Sequence, residues 1–426
     1  MTPEARQLEL LHLESPYPVI RTAWEAALER LKPDRKNLER GLELHAGELS
    51  LDHFGFLPAI HSPELEAAWN ALREAQLGGS EFHFELSLLR QRAGTRTPEA
   101  LREFLYALAA SGLSGMIQTA AEGKSLEQDL KRLASFRSIE RAAGGALSTF
   151  GSAEELAALH AKGTFALALS VNGPPLTANL MDPRDEFQWL ETWHDLGVRL
   201  MHLTYNRRNP VGDGCMEETN AGLSDLGREL VARLNRLGII IDVPHSGEQT
   251  CLDAIAASTR PVMATHTGRK SFCNHPRTKS DKVLKAIADS GGLVGVVALP
   301  SLLGGEGSLT TLLDAVEDMV ALIGSEHVAI STDYAHKSPS PPEYSHGSLR
   351  GAEYNPSWWG IWKPGGAQGS KSTEHFGGSL QWTNWPLFTV GLATRGFSDD
   401  AIKNILGANF QRVLAANAPA PTESLP

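Results

Sequence analysis

Two histidines stand at the ends of two short runs of apolar, mostly β-branched residues. One run covers 239–244 and leads into His245, and the other covers 261–265 and leads into His266. Parallel α/β folds place their chemistry at the mouth formed by the carboxyl ends of the strands, so both imidazoles should meet there. Neutral imidazole is a common zinc ligand, and zinc takes its ligands from different elements. The pair therefore predicts a metal site.

The same pair also has a purely structural interpretation. An isolated histidine at a strand end is more often a hydrogen-bonded core residue than a metal ligand. Here the two histidines fall on neighbouring predicted strands, and a small hydroxyl residue follows each of them, Ser246 and Thr267. This arrangement favours the metal site over the structural role.

An acid and a guanidinium group stand near the two histidines in the predicted order of elements. A third apolar run, 328–332, ends in Asp333, and Arg277 lies in the loop after the run that leads into His266. Burial beside an apolar strand raises the pKa of a carboxyl group and suits it to proton transfer. A planar guanidinium can bind a substrate carboxylate through two hydrogen bonds. A helix cap for Asp333 and a surface charge for Arg277 are the structural alternatives. Together the four groups predict a metal-dependent hydrolytic site.

The elements that must position these groups alternate between strand and helix. We predict eight strands, at 49–52, 115–119, 165–171, 199–204, 239–243, 262–265, 293–299 and 328–332. Helices are predicted between them, among others at 125–141, 225–237, 248–257, 281–288 and 310–323. Most of the strands are apolar throughout, as parallel strands covered on both faces are. The pattern therefore predicts an α/β fold, a closed (β/α)8 or TIM barrel.

Three segments are expected outside the barrel proper. Residues 1–45 are predicted to form a helical extension before a barrel domain at 46–415. Within that domain, 337–382 are rich in Pro, Ser and Gly but also contain Trp, which disordered segments lack, so we expect a lid-like insert after the eighth strand. Two C-terminal helices are predicted, at 386–395 and 398–415, and 416–426 are expected to be a flexible tail.

Composition limits the class of protein and its partners. The chain has 426 residues, of which 42% are hydrophobic and 21% charged, which is typical of a globular protein with an ample core. A net charge of −11 argues against a phosphate-binding surface, so we do not expect nucleic acid as a partner. Three cysteines without CxxC spacing suit a reducing compartment, and we find neither a signal-peptide pattern nor an apolar run of membrane-spanning length. We expect a soluble, cytoplasmic protein.

The residues around these groups resemble the membrane (renal) dipeptidase family, peptidase family M19, among the amidohydrolase-like barrels. The matching stretches are 202–206, 222–227, 234–246, 260–266, Arg277 with 281–284, 330–334, 395–398 and 407–413. The resemblance is dense from 195 to 335 and from 386 to 415, and thin before 165. It implies a hydrolase of dipeptides that uses two zinc ions bridged by a glutamate.

The resemblance also implies roles for individual residues. It identifies His245 and His266 with the two ligands of the second zinc ion. It identifies Arg277 with the arginine that binds the substrate carboxylate, and Asp333 with the catalytic aspartate of strand eight.

The resemblance further implies a substrate site for a small molecule, a dipeptide or a related amide. We expect Tyr205, Asn206 and Asn172 to contact that substrate. Members of the family often form homodimers, so a homodimer is compatible with the resemblance.

The first half of the chain departs from the family pattern. The two strand-one zinc ligands fall on Phe54 and Phe56, and a shift of one residue brings in His53 but places Gly55 where an aspartate belongs. Asn172 stands in place of the bridging glutamate. Phenylalanine cannot bind zinc, and a neutral carboxamide is a poor bridge between two dications. We therefore expect one zinc ion at His245 and His266, completed by Asp333 or water, rather than two.

Three functional interpretations remain open at this stage. The first is a one-metal hydrolase of a dipeptide or related amide with a free carboxylate. The second is a catalytically lapsed barrel that binds a small carboxylate ligand or a protein partner in a pocket lined by Phe54, Phe56, Trp358 and Trp359. The third is an isomerase-like, non-hydrolytic reaction in biosynthesis. The four chemical groups favour retained metal or substrate chemistry over a purely structural role.

Overall fold

The computed structural model describes residues 1–75, 79–123, 125–176, 183–341, 344 and 374–419. Most of the expected lid-like insert, with Trp358 and Trp359, lies outside the described residues, as does the chain after 419. The lid and the flexible tail therefore remain predictions.

The described residues contain nine strands and eighteen α-helices. The strands are β1 (Leu51–Asp52), β2 (Gly115–Ala121), β3 (Leu147–Thr149), β4 (Phe165–Val171), β5 (Val198–His202), β6 (Ile240–Asp242), β7 (Met263–Thr267), β8 (Leu293–Val297) and β9 (Val328–Ser331). The helices are α1 (Pro3–Leu13), α2 (Pro18–Leu31), α3 (Arg35–Gly47), α4 (Pro63–Glu74), α5 (Gly79–Ala93), α6 (Pro98–Ser111), α7 (Leu126–Ala142), α8 (Ala153–Ala161), α9 (Pro183–Asp195), α10 (Asp225–Leu237), α11 (Glu248–Ala257), α12 (Asp281–Asp289), α13 (Pro300–Leu303), α14 (Leu309–Ile323), α15 (Glu374–Gly377), α16 (Trp385–Thr394), α17 (Asp399–Lys403) and α18 (Asn409–Ala416). Among these helices, none combines the length and the apolar character that crossing a bilayer requires.

Eight of the strands form a parallel barrel. Their order is β1-β2-β4-β5-β6-β7-β8-β9, and every pairing is parallel. The ring closes between β9 and the residues after β1, where the amide of His53 donates to the carbonyl of Ile330 (3.2 Å) and the amide of Thr332 donates to that of Phe54 (3.0 Å). The predicted (β/α)8 barrel is confirmed, with all eight strands at the expected places.

One strand was not predicted. β3 pairs with the first residues of β4, beside the barrel path. It has three residues, of which only Leu147 is buried, so it carries too little apolar pattern to be recognised in the sequence.

The interior of the barrel is built in layers. An apolar layer fills one end and packs against Phe410; it contains Ala168, Leu200, Ile240, Met263 and Ala329. Side chains two residues apart on a strand point to the same side, so the next layer is formed by the following inward residues. These are all polar and buried: Ser170, His202, Asp242, Thr265 and Ser331. The polar layer lies toward the carboxyl ends of the strands, where the predicted site should be.

The helices of the barrel begin where the sequence supplies a cap. Ser125, Ser224 and Ser280 each accept a hydrogen bond from a first-turn amide of α7, α10 and α12. These helices, with α11 and α14, match the predicted bounds to within one residue. The second predicted C-terminal helix is α17 and α18 joined by a π-helical stretch at Asn404–Ala408.

The N-terminal helices α1 and α3 are hydrogen-bonded to residues just before and within α16. The imidazole of His12 lies 2.8 Å from the carbonyl oxygen of Thr383, and that of His45 lies 2.8 Å from the hydroxyl of Thr389. Both histidines are fully buried. α1 and α3 are therefore fixed against the segment that runs from Thr383 into α16.

Asp52 connects three segments at that closure. Its Oδ1 accepts from the amides of Thr332 (3.0 Å) and Phe54 (3.2 Å), and its Oδ2 accepts from the hydroxyl of Thr332 and from the indole of Trp382 (3.0 Å). The side chain is fully buried. A carboxylate suits this place because every neighbour is a donor.

We expect Asp52→Asn to lower the free energy of unfolding by about 1–3 kcal/mol, because an amide nitrogen would face donors where a carboxylate oxygen now accepts. Equilibrium urea unfolding measures the difference. The control is Asp289→Asn at the exposed end of α12, for which we expect a change within about 0.5 kcal/mol. An Asp52 variant as stable as its parent would contradict this role.

Candidate metal and substrate site

The two predicted metal ligands face each other. His245 follows β6, His266 lies in β7, and both are buried. Their Nε2 atoms are 3.2 Å apart. Two nitrogens that bind one tetrahedral zinc ion at 2.0–2.1 Å lie roughly 3.3 Å apart. The separation of the imidazoles therefore suits a single metal ion between them.

The hydrogen bonds of His245 determine which of its nitrogens carries the proton. Its Nδ1 lies 2.6 Å from Oδ1 of Asn206, a pure acceptor, so Nδ1 donates. The same oxygen also accepts from the thiol of Cys215 at 3.6 Å. Burial raises the pKa of Cys215, which keeps this thiol a donor. The Nε2 atom of His245 is left with a lone pair.

A chain of three groups determines the tautomer of His266. The amide and the hydroxyl of Thr265 donate to Oδ1 and Oδ2 of Asp242, at 2.9 and 2.6 Å. Because a carboxylate only accepts, the hydroxyl proton of Thr265 points to Asp242. The hydroxyl oxygen then accepts from Nδ1 of His266 at 2.8 Å. The Nε2 atom of His266 is also left with a lone pair.

Two lone pairs thus face each other across 3.2 Å in a buried place. Such an arrangement is repulsive unless a proton or a metal ion lies between the nitrogens. Burial, and then the positive charge of Arg277, lower the pKa of both His245 and His266 well below the usual value, which disfavours the proton. The donor atoms fit a metal ion, and Asn206 and Thr265 orient the imidazoles as outer-shell partners of metal-binding histidines do.

Two aromatic rings cover the imidazoles. Phe54 stacks on His266 with 3.8 Å between ring centroids and 19° between planes. Tyr205 stacks on His245 at 3.9 Å and 20°. Phe54 stands where the family resemblance places a ligand of the first zinc ion, and it brings no donor atom.

Arg277 lies beside the histidine pair in a buried position. Its Nε donates to the carbonyl of Pro244 (3.2 Å) and its Nη2 to that of His266 (2.9 Å). No carboxylate among the described residues forms an ion pair with it. A buried guanidinium that donates only to backbone carbonyls keeps its charge without a neighbouring negative one, which is chemically suited to an anionic ligand.

Asp333 has an unusual backbone and a perturbed side chain. Its φ is +55°, a left-handed conformation, and its amide donates to the carbonyl of Phe54 at 2.7 Å. Burial raises the pKa of the Asp333 carboxyl to about 6, although the positive charge of Arg277 opposes the shift. Strained backbone and a raised carboxyl pKa are both common at catalytic positions.

A cavity of about 780 Å³ opens next to these groups. Among the predicted site residues, its lining includes Asp333, Tyr205 and Asn172. His245, His266 and Arg277 are not among the residues that line it, and Tyr205 lies between the cavity and the ring of His245 on which it stacks. The cavity wall also includes apolar and charged side chains, namely Phe56, Leu57, Phe84, Leu86, Arg90, Glu122, Arg132 and Lys337.

The remaining predicted substrate contacts divide into two kinds. Asn206 is buried, accepts the hydrogen bond from Nδ1 of His245 and is not among the residues that line the cavity. Asn172 accepts from the hydroxyl of Thr119 (3.0 Å) and donates to Glu122 (2.9 Å) at the cavity wall. The carboxylate that is hydrogen-bonded to Asn172 thus belongs to the residue after β2.

Sequence reasoning missed His202, Asp242 and Glu122. The first two sit at the inward positions of β5 and β6, two residues beyond Leu200 and Ile240 of the apolar layer. This alternation was present in the sequence, and a polar residue at the last inward position of a barrel strand is the signal that could have found them. Glu122 follows β2 without any such pattern.

Comparison with known families identifies the class of protein. The family model of membrane dipeptidase (peptidase family M19) matches residues 84–346, more than half of the chain. The chain therefore belongs to the membrane dipeptidase family.

Curated relatives match over shorter stretches. A protein of Klebsiella pneumoniae named for its place upstream of pqqA is 32% identical over 34% of this chain and 58% of its own length. An uncharacterized dipeptidase of Schizosaccharomyces pombe is 30% identical over 34% of this chain and 37% of its length. Dipeptidase aclJ of Aspergillus oryzae is 30% identical over 36% of this chain and 37% of its length. The chain thus spans less than two thirds of these relatives.

Solved structures share the fold along almost their whole length. An amidohydrolase from Pseudomonas aeruginosa superposes with a TM-score of 0.63 at 22% identity, over 88% of this chain and 98% of that one. The probable dipeptidase PvdM from the same organism gives 0.62 at 20% identity, over 90% and 98%. A metallo peptidase from Rhodobacter sphaeroides, liganded with a phosphinate mimic of L-Ala-D-Ala, gives 0.60 at 18% identity, over 87% and 99%. At these identities the likeness shows the fold alone.

The hydrogen bonds that link Asp242, Thr265 and His266 give a prediction for the stability of the protein. We expect Thr265→Val to lower the free energy of unfolding by about 1–3 kcal/mol, because a buried carboxylate oxygen and an imidazole nitrogen both lose their partner. Thr265→Ser keeps the hydroxyl and should stay within about 1 kcal/mol of the parent, the cost of one methyl group. Urea unfolding of both variants tests this, and equal stability of the two would contradict the hydrogen-bond chain.

Proposed function

We propose that this protein is a metal-dependent hydrolase of the dipeptidase type, which cleaves a dipeptide or a related amide with a free carboxylate and uses one zinc ion rather than two. The observation that carries the proposal is the pair of opposed lone pairs on His245 and His266, 3.2 Å apart. Membership of the membrane dipeptidase family supports the hydrolytic reaction. The absence of donor atoms on Phe54 and Phe56 supports a single ion.

The carboxylate of the substrate would be bound by the positive charge of Arg277. Arg277 is buried, its Nε and Nη2 are bound to backbone carbonyls, and it has no acidic partner among the described residues. A substrate carboxylate is the group that would complete its hydrogen bonding. Tyr205 and Asn172 on the cavity wall would contact the remainder of the substrate.

Proton transfer is assigned to Asp333. A metal ion bound by the histidine pair would act as a Lewis acid that polarises the scissile carbonyl and activates water. The Asp333 carboxylate, with its pKa raised to about 6, is ionised at neutral pH and can accept a proton from the attacking water. The protonated carboxyl then donates to the leaving amine.

One observation favours the second interpretation, a lapsed barrel that binds a small carboxylate ligand. Phe54 and Tyr205 cover the two imidazoles, so catalysis requires at least one ring to move away from its histidine. Metal analysis and activity of the purified protein separate the two functions. About one zinc ion per chain with cleavage of L,L- or L,D-dipeptides supports the hydrolase, whereas a zinc-replete protein that cleaves none of them supports the lapsed barrel.

Asp333 gives a prediction for activity and its pH dependence. We expect Asp333→Asn to lower kcat/KM for a cleaved dipeptide by about 10²–10⁴-fold, since the amide cannot accept a proton. In the parent, the active form of the base is ionised, so kcat/KM should rise as pH rises through about 6 and then level off. Initial rates between pH 5 and 8 measure both effects. Unchanged kcat/KM in the variant would remove Asp333 from the mechanism; Asp289→Asn is the control.

Arg277 gives a prediction for substrate choice. We expect Arg277→Met to lower kcat/KM for a free dipeptide on the order of a hundred-fold, because the substrate carboxylate loses its buried partner. This corresponds to a loss of about 2–3 kcal/mol of transition-state stabilisation. The corresponding dipeptide amide has no carboxylate and should be affected far less. Arg236→Met, on the exposed face of α10, is the matched control. Equal losses on both substrates would show that Arg277 does not read the carboxylate.

A further inference from the structure

His202 is a buried histidine without a hydrogen bond. It is the last residue of β5 and fully buried, and among the described residues neither Nδ1 nor Nε2 has a hydrogen-bond partner. Its Nε2 lies 3.0 Å from Oδ2 of Asp242, but not in line for a hydrogen bond. Buried polar side chains almost always have partners, so this imidazole requires an explanation.

The surroundings of His202 contain suitable partners for a cation. One ligand atom each from His202, Asp242 and His266 lie within 4.8 Å of one another, and all three residues are buried. The ring of His202 is 5.6 Å from that of His266 and 5.5 Å from that of His245. Three imidazoles and one carboxylate therefore converge from three consecutive barrel strands.

Two further side chains of the same layer also lack partners. The hydroxyl oxygens of Ser170 and Ser331 are buried and make no hydrogen bond within the described residues. Two nitrogens of His202 and one oxygen of each serine are thus buried polar atoms in one layer that a bound ion with its water molecules would satisfy.

We propose that His202, Asp242 and His266 form a cation site inside the barrel, which binds a divalent transition metal such as zinc. Two histidines and one carboxylate are a ligand set that zinc uses in catalytic sites. The carboxylate adds the negative charge that a pair of neutral imidazoles lacks. His202 supplies from β5 the nitrogen donor that Phe54 cannot supply from the first strand.

This inference deepens the proposed function, because His266 belongs to both groups, but it makes a separate claim. The proposed function needs only the pair His245 and His266. The inference requires that His202 binds the ion as well. The inference can therefore fail while the proposed function still holds.

The experiment compares zinc affinity in the parent and in His202→Phe. Phenylalanine keeps the approximate volume and removes only the two nitrogens, which have no hydrogen bonds to lose. We expect zinc affinity, measured by competition with a chromophoric chelator, to fall at least ten-fold. Melting temperatures in EDTA should be similar, which separates loss of a ligand from loss of the fold. His53→Phe is the control for a buried histidine that faces Phe410 instead: it loses the bond from Nδ1 to the carbonyl of Ile330 (3.0 Å), so its melting temperature should fall while its zinc affinity stays within two-fold of the parent.

The outcomes separate the two claims. Affinity of His202→Phe within two-fold of the parent overturns the inference, and a simultaneous loss in His245→Phe then leaves the proposed function standing. A parent that binds no zinc overturns both. If His202→Phe does not fold, the anomalous zinc signal in crystals of the parent decides. An ion about 2.0–2.1 Å from a nitrogen of His202 supports the inference, and an ion bound only by His245 and His266 overturns it.

Discussion

The centre of this protein depends on the fact that the Asp242 carboxylate can only accept hydrogen bonds. It takes the amide and the hydroxyl proton of Thr265, and the hydroxyl oxygen in turn takes the proton of Nδ1 of His266. Each of these hydrogen bonds determines whether the next group donates or accepts. The result is an imidazole whose Nε2 lone pair points at the same atom of His245, and the electrostatic character of the site follows from that orientation.

The barrel supports this arrangement by changing the type of side chain from layer to layer. The apolar layer around Leu200 and Ile240 excludes water from one end, and the polar layer above it concentrates donors and acceptors in a place of low dielectric. Hydrogen bonds and charges act strongly there, and groups without partners are costly. The layer therefore contains both the Thr265 hydroxyl, which is hydrogen-bonded on both sides, and the His202 imidazole, which has no hydrogen-bond partner in the described part of the chain.

The first strand has a different role here from the one that the family resemblance suggests. Its carboxylate, Asp52, fixes the closure of the barrel through Thr332 and Trp382. Its aromatic residue, Phe54, covers His266 instead of bringing a donor atom. On this side the first strand contributes closure and an apolar cover, and the imidazoles and the carboxylate that lie close together come from β5, β7 and the end of β6.

The sequence by itself determined the architecture and part of the site. Continuous apolar runs predicted the eight barrel strands, because parallel strands buried on both faces have apolar residues throughout, and strand-end positions pointed to His245 and His266. Only the tertiary structure decided the rest. The tautomers, the stacking of Phe54 and Tyr205, and the meeting of His202 with Asp242 depend on contacts between strands that are distant in sequence. Such contacts follow from the register and closure of the barrel, which a local pattern does not encode.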